Sequence, residues 1–250
     1  MAGLIVPPAA ASPDSLALVI PTYNEAANIG PLLQRATAAL AGIAHEIIVV
    51  DDDSSDGTGD HVGEAMQRLP LVKLIVRKGE RGLASAVVHG WQTSSASVLG
   101  VMDADLQHPP ELLPELWQRI EAGADLALAS RYVKRASLGD WSMTRRVLSV
   151  LGIWSAAYAL PKGRRVHDPA SGFFFVRRAS IAGVPMVAQG FKLLLEVLVR
   201  GNIGRVEEVP FTFGARQGGH SKGDARVLLD YFSLLWKLRR RARAGAQPKP

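Results

Sequence analysis

Short apolar, β-branched runs alternate with longer segments of helical periodicity through the first half of the chain. Leu16 to Ile20, Glu46 to Val50, Val72 to Val76, Val98 to Met102 and Asp125 to Ala129 read as strands. Their apolar residues are not confined to alternate positions, as expected of strands covered on both faces of a parallel sheet. Between them, Glu25 to Ala41, Thr58 to Leu69, Leu83 to Ser94 and Pro109 to Glu121 read as helices. Pro109-Pro110-Glu111 suits a first helical turn, where a missing N–H costs nothing. The alternation predicts right-handed βαβ units, a mostly parallel, doubly wound α/β sheet flanked by helices, and ligands at the carboxyl ends of the strands.

After Ser130 the pattern changes. A basic, Trp-containing stretch from Arg131 to Arg165 carries a predicted helix at Met143 to Tyr158. A strand at Gly172 to Val176, a helix at Phe191 to Arg200, a strand at Arg205 to Phe213 and a Gly-rich basic loop from Gly214 to Gly223 follow. In the last helical pattern Leu228, Tyr231, Phe232, Leu235 and Leu238 share one face, while Arg226, Asp230, Ser233, Lys237 and Arg240 share the other. We therefore expect a flexible stretch over 1–15, one folded domain over 16–225, an amphipathic helix over 226–240 and a disordered basic tail over 241–250. The helix suits a membrane interface or a partner, and equally a helix packed on the domain.

With 250 residues, 48% of them apolar and 21% charged, the chain can build one substantial core, which excludes disorder and fibrous architecture for most of it. The absence of cysteine excludes disulfides, a thiol nucleophile and a Cys-based metal centre. Met1 to Ser15 does not read as a secretory signal, and the nearly apolar run Val147 to Pro161 is shorter than the ~20 residues of a spanning helix. The net charge of +6 is unevenly distributed. Residues 1–130 hold 7 basic and 16 acidic groups, whereas residues 131–178 hold 10 basic and 2 acidic. The final fourteen residues carry six basic groups and no acid. An acidic half able to hold a metal, a basic segment able to receive an anion and a basic tail are the simplest reading.

Asp103-Ala104-Asp105-Leu106-Gln107 follows the fourth predicted strand. Two carboxylates and an amide oxygen at this spacing offer hard oxygen ligands to Mg²⁺ or Mn²⁺ bridging a diphosphate. Taken alone, the pair serves equally as a cap for the helix begun by Pro109 and Pro110. Pro21-Thr22-Tyr23-Asn24-Glu25 and Asp51-Asp52-Asp53-Ser54-Ser55-Asp56-Gly57-Thr58 end the first two predicted strands, so three acidic or polar clusters meet at one sheet edge. Carboxylates gathered there repel unless a cation or hydrogen-bond donors are present. Neither a Gly-rich dinucleotide fingerprint nor a P-loop is found. The Arg77-Lys78-Gly79-Glu80-Arg81-Gly82 turn adds cations and flexible backbone, or is a solvated loop.

These strings, with Asp103 to Glu111, Ser130-Arg131-Tyr132, Asp168 to Phe174, Gly190 to Glu196 and Val209 to Lys222, resemble family 2 glycosyltransferases of the GT-A fold, especially the dolichyl or polyprenyl phosphate mannosyltransferases. The likeness spans about Leu16 to Leu235. It implies that Pro21, Tyr23, Glu25, Val50 and Asp52, together with Lys78, Asp103, Ala104 and Asp105, hold a sugar nucleotide, expected to be GDP-mannose. Asp103, Asp105 and Gln107 would bind Mg²⁺ or Mn²⁺. Arg131, Arg145 and Arg216, with Ser221 and Lys222, would receive the phosphate of a dolichyl or polyprenyl phosphate, and Asp105, Arg131 and Arg216 would act at the reacting centre.

A lipid monophosphate has a second pKa of about 6, so it is a nucleophile at neutral pH without a dedicated base. Direct displacement would invert the anomeric centre and give a β-linked sugar phosphate. The expected location is the cytoplasmic face of a membrane, reached through the last helix and basic tail. Relatives often carry a second glycine where Gly82-Leu83-Ala84-Ser85-Ala86 stands here, and many continue into membrane spans. UDP-glucose or another donor is the alternative within the same chemistry. A non-catalytic membrane- or nucleic-acid-binding protein is the alternative of another class, although the basic groups lack the interleaved aromatics that bind nucleic acid.

Overall fold

The computed structural model describes residues 3–5, 14–133, 166–186 and 193–212. The predicted helices at Met143 to Tyr158 and 226–240, the loop at Gly214 to Gly223 and the basic tail lie outside the described residues, as do Arg145, Arg216, Ser221 and Lys222.

The elements alternate as the apolar pattern requires. β2 (Leu16–Thr22) leads through α1 (Ala26–Ala39) to β3 (His45–Asp51), and α2 (Thr58–Met66) leads to β4 (Val72–Val76). α3 (Leu83–Thr93) then returns the chain to β5 (Val98–Val101), and α4 (Leu113–Glu121) leads to β6 (Leu126–Ser130). β7 (Phe174–Arg177) and β9 (Val206–Pro210) complete a seven-stranded sheet ordered β4-β3-β2-β5-β7-β6-β9. Six strands run parallel; β7 alone is antiparallel, inserted between β5 and β6.

Alternate residues of the same strands feed two cores. Ala17, Val19, Ile48 and Val50 face α3 and the helix Leu193–Arg200, while Leu16, Leu18, Ile20, Ile47 and Val49 face α1, α2 and α4. The aromatic run Phe173 to Phe175 is buried strand core, as its composition suggests. Trp91 of α3 packs edge-on against Phe174 and donates its indole N–H to the Gly100 carbonyl at 3.0 Å.

Two differences from the sequence pattern have simple causes. The predicted Pro109 to Glu121 helix is split into a 3₁₀ turn, Pro110–Leu112, and α4. Pro114 has no N–H to give the Pro110 carbonyl, so the regular ladder starts afresh. Residues 3–5 depart from the expected flexible stretch: Gly3–Leu4 (β1) pairs antiparallel with Pro185–Met186 (β8), and Ile5 is fully buried.

Candidate active site

Because β2, β3, β4, β5 and β6 are parallel, the loops leaving their carboxyl ends open on one edge of the sheet. Pro21 stands near the end of β2, Tyr23 and Glu25 follow it, Asp52 follows β3, Lys78 follows β4, Asp103 to Gln107 follow β5, and Arg131 follows β6. Val50, in β3, and Ala104, after β5, are buried, Val50 in the core beneath α3 and Ala104 in the core on the opposite face of the sheet, so neither side chain is open at this edge.

The first two loops are laced together, which answers part of the repulsion inferred from sequence. Asp51 accepts from Thr22 Oγ1 at 2.7 Å, from Ser54 N at 2.8 Å and from Ser54 Oγ at 2.6 Å. Across the loops, Asn24 N donates to Ser54 Oγ, Glu25 N to Thr58 Oγ1 and Ala26 N to Asp56. Burial by itself would raise the Asp56 carboxyl; hydrogen bonds from Thr58 and Ala26 hold it below the usual carboxylate range. Asn24 and Asp53 adopt the left-handed conformation, which these residue types tolerate best after glycine.

Asp52 is engaged within the chain. Its Oδ1 accepts from Arg77 Nε at 2.8 Å and from Arg77 Nη2, and its Oδ2 accepts from Gly82 N at 2.8 Å. The Arg77 side chain is only 4% exposed, so this member of the basic turn is not solvated. Gly82, with φ +142°, turns its N–H toward Asp52 at the start of α3 in a conformation that L side chains rarely adopt. Next to it the Arg81 guanidinium carbon lies 4.1 Å from the centroid of the Tyr23 ring, while Lys78 is exposed.

After β5 the chain reverses through Leu106, whose φ is +59°, and Gln107 N donates to Asp105 Oδ1 at 3.1 Å. His108 Nδ1 is 3.7 Å from Asp103 Oδ2, and the His108 ring lies against Phe173 and Phe211. Burial, helped by the Arg131 charge, pushes the His108 imidazole down to about 3, so it is neutral at physiological pH. Arg131 donates from its backbone N (3.1 Å) and Nε (2.7 Å) to Asp168 Oδ2, and from Nη2 to Oδ1 at 2.7 Å. Burial would lower the Arg131 guanidinium, yet the Asp168 bonds and charge, followed by the Tyr132 and Asp103 charges, leave it raised and firmly cationic.

The residues present fit a hard divalent cation in one respect: Asp103, Asp105 and Gln107 supply carboxylate and amide oxygens from a single reversed loop. Among the described residues, no group of three or more His, Asp or Glu side chains is placed to hold a metal by itself. This donor set therefore suits Mg²⁺ or Mn²⁺ shared with substrate phosphates, the usual mode for one or two carboxylates.

The sequence matches glycosyl transferase family 2 over residues 17–184. The chain belongs to that family. This glycosyltransferase is 44% identical to a dolichol-phosphate mannosyltransferase of Pyrococcus furiosus over 223 residues, covering 89% of this chain and 63% of the relative. It is 37% identical to a dolichol-phosphate mannosyltransferase of Mycosarcoma maydis, covering 92% of this chain and 80% of that one. Against a polyprenol monophosphomannose synthase of Mycolicibacterium smegmatis it is 36% identical over 86% of this chain and 83% of the relative. The chain thus spans under two thirds of the P. furiosus relative's length. In fold, the glycosyltransferase is similar to glucosyl-3-phosphoglycerate synthase from Mycobacterium tuberculosis in complex with UDP, with a TM-score of 0.69, 17% identity, and coverage of 91% of this chain and 80% of that one. The same neighbour complexed with Mn²⁺, UDP-glucose and phosphoglyceric acid gives a TM-score of 0.68 at 17% identity, covering 92% of this chain and 79% of that one.

In the glycosyltransferase the Asp103 loop stands on the edge that the strand pattern predicts, and Arg131, which the family resemblance singles out, follows β6 onto the same edge. Sequence reasoning passed over Arg77 as the partner of Asp52, and Glu208 altogether. The signal for Arg77 was a basic residue directly after a strand that borders an acidic one. Glu208 left no comparable sign, because its partners His167 and Asp168 are 41 and 40 residues away in sequence.

Proposed function

We propose that the glycosyltransferase moves mannose from GDP-mannose to a dolichyl or polyprenyl phosphate, inverting the anomeric centre, with Mg²⁺ or Mn²⁺ on the donor diphosphate. The observation that carries this reading is a partly buried cation, Arg131 clamped by Asp168, beside the Asp103 loop at a single sheet edge. The mannosyltransferase relatives at 36–44% identity support the choice of sugar and acceptor class.

Pro21, Tyr23, Glu25, Asp52 and Lys78 would hold the nucleoside diphosphate from the β2, β3 and β4 side. Asp103, Asp105 and Gln107 would hold the divalent cation, which supplies Lewis-acid neutralisation of charge on the departing diphosphate. With its Nε–H and one Nη2–H directed to Asp168, Arg131 would meet the acceptor phosphate through its outer N–H groups, with Arg145, Arg216, Ser221 and Lys222 as further phosphate contacts. The acceptor phosphate is mostly dianionic near pH 7, so attack by one of its oxygens needs no general base. His108, held neutral, adds no charge beside Asp103.

Among the described residues no helix is long and apolar enough to cross a membrane. Contact with a lipid acceptor would fall to the amphipathic pattern at 226–240 and the basic residues after it, at the cytoplasmic face. The test is incubation of the full chain with a donor panel, including GDP-mannose and UDP-glucose, Mg²⁺ or Mn²⁺, and polyprenyl phosphate. A mannosyl lipid phosphate from GDP-mannose supports the reading; preference for another donor overturns the sugar assignment, and no turnover with any donor overturns the activity.

A further inference from the structure

Glu208 belongs to β9, whose Glu208 is paired in register with Leu128 of β6, three residues before Arg131. Its carboxylate reaches across to the segment that carries Asp168. Oε1 accepts from His167 N at 2.9 Å and from Asp168 N at 3.4 Å, while Oε2 lies 2.5 Å from His167 Nδ1. One carboxylate thus gathers two successive backbone N–H groups and a ring nitrogen, which fixes the backbone at the residue whose own carboxylate grips Arg131.

The other side of that segment is tied to β6. Ser171 N donates to the Asp168 carbonyl at 3.2 Å, and Ser171 Oγ donates to the Ala129 carbonyl at 2.7 Å. Asp168 is therefore anchored between two neighbouring strands, with its side chain fully buried and Glu208 only 13% exposed. The two bonds from the Arg131 guanidinium to Asp168, with a third from the Arg131 backbone N, leave the guanidinium few orientations, and those orientations follow the Asp168 backbone.

We propose that Glu208 is a positioning residue for Arg131: through the His167–Asp168 backbone it sets the direction in which the guanidinium meets the acceptor phosphate. The inference rests on the reading of Arg131 as an acceptor-phosphate ligand. Misaligned charge-assisted hydrogen bonds weaken steeply, so a guanidinium released from its geometry loses roughly tenfold in phosphate affinity. The nucleotide, on the β2 to β4 side, does not depend on this chain of contacts.

The experiment is a double-mutant cycle on the full chain, reading the Kd for a short-chain polyprenyl phosphate in detergent, with the Kd for GDP and the melting temperature beside it. Glu208→Ala should weaken the lipid phosphate about tenfold and leave GDP within about twofold. Glu208→Gln keeps an acceptor oxygen for the backbone N–H groups and should recover most of the loss. In an Arg131→Ala background, Glu208→Ala should add nothing, because the group it acts through is gone. An equal effect of Glu208→Ala with and without Arg131, a fall in melting temperature with no change in lipid-phosphate binding, or a parallel loss of GDP binding overturns the proposal. If Arg131→Ala alone leaves lipid-phosphate binding unchanged, the assignment of Arg131 falls and the role of Glu208 falls with it.

Discussion

Gly172 and Asp103 are packed so closely that a Cβ on residue 172 would lie 2.5 Å from Asp103 Oδ2 and 3.0 Å from its carboxyl carbon. Gly172, two residues before β7, thereby limits how far the first carboxylate of the Asp103 loop can swing. No real side chain tolerates such a contact, so Gly172→Ala must displace Asp103 or the backbone that carries it. Overpacking of this kind costs about 1–3 kcal/mol. We expect a fold that persists with a lower melting temperature, and Mn²⁺ affinity in the presence of GDP reduced about tenfold, read by calorimetric titration.

Asp105→Ala removes one of the two carboxylates that would hold the cation. Metal stabilisation of a leaving diphosphate is worth several kcal/mol, so turnover should fall about a thousandfold with little change in the circular dichroism spectrum. Chelation of the wild-type protein should abolish turnover, and added Mg²⁺ or Mn²⁺ should restore it. Near-wild-type activity of Asp105→Ala would remove the basis for a metal at this loop.

Asp168→Asn leaves the largely buried Arg131 guanidinium without the carboxylate it is paired with. Breaking a buried pair from one side costs about 3–5 kcal/mol. The urea midpoint should drop by an amount set by that cost, and Asp168→Asn should be more destabilising than removal of the exposed pair Arg35–Glu111, where solvent screens the interaction.

Arg77→Met leaves the Asp52 carboxylate with the Gly82 N–H but without its paired cation, at the junction of β3, β4 and α3. The expected result is faster amide exchange at residues 78–86 and a raised KM for the sugar nucleotide, with the lipid-phosphate KM unchanged. A uniform loss of both would show that Arg77 supports the whole fold and not the donor side.

Arg178 offers the opposite case. It is 1% exposed and donates to the carbonyls of Ala96, Trp91 and Ser94 at 2.6, 3.2 and 3.0 Å, tying the end of β7 to the α3–β5 loop. Burial lowers its guanidinium, and the Glu46 charge opposes that. Each carbonyl left without a donor costs about 1–3 kcal/mol, so Arg178→Met should lower the melting temperature clearly while both KM values hold.

The apolar pattern of the first 130 residues dictated five parallel strands and the helices between them, because burial on both faces demands continuous apolar runs and amphipathic helices to cover them. The Asp103 loop was legible because a parallel sheet delivers every strand's carboxyl end to one edge, whereas Arg131 was singled out only by the family resemblance and its basic segment. The sequence alone did not determine which acids would remain available there. Only the fold brought Arg77 onto Asp52, Asp168 onto Arg131 and Glu208 onto the His167–Asp168 backbone, pairs separated by 25, 37 and about 40 positions. The same holds for β7, whose antiparallel insertion between β5 and β6 brings Gly172 against Asp103. Local sequence encodes propensity and periodicity, whereas the partner of a buried charge is chosen by whichever distant strand end lies within hydrogen-bond reach once the sheet has closed.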